Sequence, residues 1–179
     1  MKELEGPRGE PPRTPSKPPA LPHPLAPDRM PRLFVVDTNV VVSGVLSFGR
    51  PSPPALVLKG MVSGRVPFVI SAELLAEYRT VLLRPVVAER HVWSAVDIDG
   101  LLAELTMTAY LRQPPDDADV DPLDPPPDSP RGDAHVVRLL AHEPRAVLVS
   151  GDLPLLDALR GWREVLTPAE LVANELGER

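Results

Sequence analysis

Proline has no backbone N–H and a fixed φ, so helices accept it only in their first turn and sheets only at their margins. Twenty-five prolines in 179 residues therefore dictate where this chain can fold. Ten precede Leu33 and seven lie between Pro114 and Pro130, which leaves eight for the stretches where apolar periodicity survives. Residues 1–31 show neither a helical nor an alternating pattern, and too little apolar surface to offset the entropy of ordering, which predicts a disordered Pro-rich tail. Met30, directly before the first apolar run, is a natural translation start. On that expectation residues 1–29 are not part of the native protein; a proline-rich interaction tail is the alternative. A single domain is expected over residues 32–179, broken by an irregular Pro/Asp-rich loop at 112–130.

The hydrophobic fraction, 43%, is enough to build one sizeable core. The absence of cysteine removes disulfides, thiolate nucleophiles and Cys-containing zinc sites together. With no run of transmembrane length and no compact apolar signal segment, the expected location is the cytoplasm. The net charge is −6, yet residues 1–32 carry +2 and the rest −8. An acidic domain argues against non-specific nucleic-acid binding, unless its carboxylates hold divalent cations that invert the local charge.

Leu33 to Val36 is a short apolar run of the kind buried on both faces of a parallel sheet. Further strands are expected at Val66–Ile70, Thr108–Leu111 and Ala146–Val149, with an edge strand at Glu164–Leu166. Between them the pattern predicts helices at Thr38–Leu46, Pro53–Val62, Ala72–Leu83, Ser94–Thr106, Ala134–His142 and Leu153–Leu159, and a last one from Pro168. Ser71 is read as a helix cap, and Pro53 and Pro168 as first-turn prolines. Strands alternating with helices imply an α/β protein, a three-layer α/β/α sandwich around a central, mostly parallel sheet.

Asp37 and Asp152 each follow an apolar strand, so both are expected at the carboxyl edge of the sheet, where open α/β folds bind ligands. Glu77 lies on the helix after the second strand, and Asp133 opens the helix before the strand of Asp152; Asn39 and Ser150 add neutral oxygens. Hard oxygen donors without His or Cys suit Mg²⁺ or Mn²⁺. The matching chemistry is phosphodiester hydrolysis, with ions about 4 Å apart in two-metal sites. Each acid has a plainer reading: a helix cap for Asp37, Asp133 and Asp152, a solvated face for Glu77.

Four segments carry a resemblance: Val36 to Val40, Ser71 to Leu82, Pro130 to Asp133 with its apolar helix, and Val149 to Leu153. Together they resemble the motifs of PIN-domain ribonucleases, most closely the toxin components of toxin–antitoxin systems, over about Leu33 to Leu171. The resemblance implies a Mg²⁺- or Mn²⁺-dependent endoribonuclease acting on RNA, a cognate antitoxin and a homodimer, with no membrane association. It makes Asp37, Glu77, Asp133 and Asp152 the catalytic, metal-binding acids, supported by Asn39 and Ser150. Glu73, one turn before Glu77, is left as a first-turn charge.

Two departures stand out. Pro154 occupies a position where such relatives often have a second aspartate, and the stretch Asp116 to Asp128 inserts extra acids before the third motif. Within it, Asp117, Asp119, Asp121 and Asp128 imitate a calcium loop, but Pro122 stands where that loop needs glycine, so a solvated loop is expected. His135 lies close to Asp133 and within reach of a phosphate, whereas His23, His91 and His142 share no ligand spacing and are expected at the surface. Trp93 and Trp162 are assigned to the core, since 4% aromatics leaves little for base stacking. Two other functions compete. A phosphatase using an aspartyl phosphate would need an acid where Asn39 stands, and a non-catalytic PIN-like module binding RNA or protein would need no acid cluster.

Overall fold

The computed structural model describes residues 31–114 and 132–177. The expected tail up to residue 30, and the loop at 112–130 beyond its first three residues, lie outside the described residues.

Among the described residues the strands are β1 (Phe34–Val36), β2 (Val69–Ile70), β3 (Tyr110–Leu111), β4 (Val147–Val149) and β5 (Val165–Leu166). All pairings are parallel, in ladders β1-β4-β5 and β2-β3, and a bridge between Phe34 and Phe68 joins the two. The strand order is thus β3-β2-β1-β4-β5. Chain order runs outward in opposite directions from the β1/β4 neighbours, and right-handed crossovers on both sides of such a reversal place helices on both faces. Burial agrees: successive strand residues point to opposite faces, yet every residue of β1 and β4 is buried.

The helices are α1 (Thr38–Leu46), α2 (Pro53–Val62), α3 (Ala72–Leu82), α4 (Pro85–Ala88), α5 (Ala95–Thr108), α6 (Ala134–His142), α7 (Leu153–Leu159) and α8 (Pro168–Leu171), which runs into a π-helical turn at Val172–Leu176. Differences from the sequence expectation have local causes. β2 is shorter because Pro67 brings no N–H; its carbonyl instead accepts from Phe34 N at 3.0 Å. Pro85 ends α3 but also opens α4 at a first-turn position, a helix the sequence reading missed. α5 runs two residues past its expected end. There Thr106 and Thr108 bond back to the carbonyls of Leu102 and Leu105, and β3 keeps only Tyr110 and Leu111. Ser94 is the cap of α5, in a reciprocal box with Asp97.

The core gathers Phe34, Phe68, Met61, Ile70, Leu74, Tyr78 and Leu148 with the apolar faces of α1, α2, α5, α6 and α7. Trp93 and Trp162 pack against it partly buried, as expected, with Trp93 edge-on to Phe48 at 5.0 Å between centroids. Gly44 lets α1 and α2 meet: a Cβ there would lie 2.9 Å from the Pro54 carbonyl oxygen and 3.0 Å from Leu58 Cβ. Gly100, inside α5, faces open space. The same substitution should therefore act with opposite signs. Gly44→Ala is expected to lower stability by about 1–3 kcal/mol through overpacking, and Gly100→Ala to raise it by about 0.5–1 kcal/mol through helix propensity. Denaturant unfolding of the two variants checks both.

Candidate active site at the carboxyl edge of the sheet

Register builds the site. Val36 pairs with Val149, so the next residues of the two strands, Asp37 and Ser150, emerge side by side at the point where the strand order reverses. Asp37 N donates to the Val149 carbonyl at 2.9 Å, and Ser150 Oγ donates to Asp37 Oδ2 at 2.6 Å. Asn39, in the first turn of α1, places Nδ2 2.5 Å from the same oxygen and 3.0 Å from Ser150 Oγ. Its Oδ1 accepts from Gly151 N at 2.9 Å, where an added Cβ would sit 3.3 Å away. Asn39 and Ser150 thus hold the Asp37 carboxylate.

Glu77 reaches the same edge from α3. Two contacts fix that helix against the end of β1. The Tyr78 hydroxyl, fully buried, donates to the Val36 carbonyl, and Thr38 Oγ1 donates to Glu77 Oε2 at 2.7 Å. Glu73, by contrast, is an exposed first-turn acid that pairs with Arg138 of α6.

Three acids stand at N-cap positions: Asp37 before α1, Asp133 before α6 and Asp152 before α7. A carboxylate there normally accepts an orphan N–H of the first turn. Asp152 does so, taking Leu155 N at 3.2 Å, and Asp133 makes no side-chain capping bond; the Asp37 carboxylate lies against the N–H groups of Thr38 and Asn39 without a well-directed cap bond. The cap reading therefore explains part of Asp152 and none of Asp133.

Electrostatics separates them further. Burial raises the Asp37 carboxyl above its ordinary pKa, opposed by hydrogen bonds from Ser150 and from the backbone of Thr38 and Asn39, and reinforced by the Glu77 charge. Asp133 is also raised, first by burial, then by the charges of Asp37 and Asp152. Four carboxylates thus share one field, and a like-charge cluster at a ligand-binding edge is most relaxed with a cation inside it. No three acidic or histidine side chains among the described residues are gathered into a ready-made coordination set. The donors fit Mg²⁺ or Mn²⁺ in kind, all hard oxygens.

Sequence reasoning missed Thr38 and Tyr78 as parts of this site, and gave His135 no partner. His135 is buried, with Nε2 2.5 Å from Glu77 Oε2. The usable signals were their positions: Thr38 directly follows Asp37, Tyr78 directly follows Glu77, and His135 is two residues past Asp133. His91, expected at the surface, is half-buried with Nε2 3.1 Å from the Leu82 carbonyl at the end of α3.

A parallel α/β sheet with carboxylates at its reversal point holds them where open α/β folds bind ligands. The sequence profile of the PIN domain matches residues 33–153, and the chain belongs to that family, whose members are generally metal-dependent nucleases. No curated protein matches the chain. No helix among the described residues is long and apolar enough to cross a membrane.

A carboxyl whose pKa is raised by folding destabilises the fold wherever it is ionised. That penalty is absent below its unfolded pKa, grows as pH rises towards the folded value, and persists above it. Asp133→Asn removes the charge and keeps the shape. In EDTA at pH 7 this variant should melt above the wild type, with the gap closing as pH falls through the carboxylate range. A lower melting temperature at pH 7 would count against the crowding.

Proposed function

We propose that this protein is a metal-dependent endoribonuclease that hydrolyses RNA phosphodiester bonds, with Asp37, Glu77, Asp133 and Asp152 holding Mg²⁺ or Mn²⁺. The observation that carries this reading is the pair Asp37 and Asp133: partly desolvated carboxylates at one sheet edge, both raised above their ordinary pKa, with the Asp37 charge among the causes at Asp133. Family membership supports the reaction class.

A bound divalent cation would lower the pKa of an attacking water and offset charge on the leaving oxygen. The chain's own residues supply the rest. Ser150 and Asn39 keep Asp37 in one orientation by occupying Oδ2. Thr38 does the same for Glu77 through Oε2. Asp152, anchored by its cap bond, stands at the same sheet edge from the β4 side. With cations seated, the edge would accept a phosphate that its bare carboxylates repel. A role as the toxin of a toxin–antitoxin pair, with a cognate antitoxin and a homodimeric state, belongs to the same proposal and draws on the motif resemblance.

Purified protein is expected to cut single-stranded RNA with Mn²⁺ or Mg²⁺ and not in EDTA, and Asp37→Asn to reduce the rate at least about 100-fold, the scale of losing preorganised charge stabilisation. Mapped ends in the presence and absence of Mn²⁺ provide the measurement. Cleavage by Asp37→Asn at the wild-type rate refutes the site. Mn²⁺ should also raise the wild-type melting temperature, because a ligand held only by the native state stabilises it.

A further inference from the structure

We propose that His135 is a positioning residue that, with Thr38, sets the orientation of the Glu77 carboxylate; this rests on Glu77 being a metal ligand. His135 sits in the first turn of α6, two residues after Asp133, and is only 7% exposed. Its Nε2 is fully buried and has no properly directed hydrogen bond among the described residues, yet it lies 2.5 Å from Glu77 Oε2. At that distance two lone pairs would repel, so the contact requires a proton on Nε2. Buried N–H groups are nearly always paired. Glu77 is the partner within reach.

The geometry has a specific consequence. Thr38 Oγ1 approaches the same oxygen, Oε2, at 2.7 Å. Thr38 of α1 and His135 of α6 thus converge on one oxygen of a residue carried by α3. The elements that bear Asp37 and Asp133 then fix the third acid, and Oε1 is the oxygen that Glu77 would offer to a cation. Groups that orient ligating carboxylates typically change metal affinity or activity by about 10–100-fold when removed.

The test compares the wild type, His135→Ala, His135→Gln and Thr38→Val in the full chain. Mn²⁺ affinity is followed by electron paramagnetic resonance, with RNA cleavage and thermal unfolding in EDTA alongside. Gln can present an amide N–H from a similar reach. His135→Ala is expected to weaken Mn²⁺ binding at least about tenfold, Thr38→Val to weaken it in the same direction, and His135→Gln to restore most of it. A residue that merely fills space would shift the melting temperature but leave the Mn²⁺ affinity of the folded protein unchanged; that result overturns the proposal. Equal losses in His135→Gln and His135→Ala overturn it too, since donation from that position would then not matter. Absence of Mn²⁺ binding by the wild type instead defeats the metal-site reading on which it rests.

Discussion

The hydrogen bond from the Tyr78 hydroxyl to the Val36 carbonyl is the tie on which the site depends. It joins α3 to the last residue of β1 in a fully buried setting, so neither group has water as an alternative partner. Burial, then the nearby charges of Asp37 and Glu77, push the phenol well above its ordinary pKa, so it remains a donor across the whole physiological range. Because Glu77 and Asp37 are the sequence neighbours of the two tied residues, one bond sets the spacing between two of the four acids.

From that tie the remaining acids follow by topology. Parallel pairing of β1 with β4 puts Ser150 beside Asp37 and leads directly into Asp152, while α6 delivers Asp133 and His135 to the same edge. The protein retains carboxylates there at an energetic cost, visible in the raised Asp37 and Asp133. At the cap position of Asp133 the carboxylate makes no capping bond, unlike the side chains of Ser71 and Ser94, which accept first-turn N–H groups. Departures of this kind from local rules are characteristic of functional edges.

Much of this was legible in the residues. The apolar runs at Phe34–Val36 and Val147–Val149, the Ser71 cap and the first-turn prolines all mark elements that formed where the pattern placed them. That Asp37 and Asp152 follow strands ending at one sheet edge is read from two apolar runs that end alike, and β1 and β4 are parallel neighbours. What could not be read was long-range pairing. Nothing in the local sequence of Thr38, Tyr78 or His135 says that each contacts a group 39, 42 or 58 positions away. The fate of a cap candidate was equally hidden: the Asp152 carboxylate turns to its own helix and that of Asp133 does not, a difference that no neighbouring residue announces. Short elements such as α4, opened by the proline that closes its predecessor, fall below the length at which periodicity speaks.

The central claim is that the carboxylates of Asp37, Glu77, Asp133 and Asp152 converge on a divalent cation. Anomalous diffraction from crystals grown with Mn²⁺ tests it most directly. The account predicts a manganese peak at the carboxyl edge of β1 and β4, within about 2.5 Å of oxygens from Asp37 and at least one other of these acids. Manganese bound elsewhere with this edge empty, or no bound manganese in crystals where the edge is open to solvent, would contradict it.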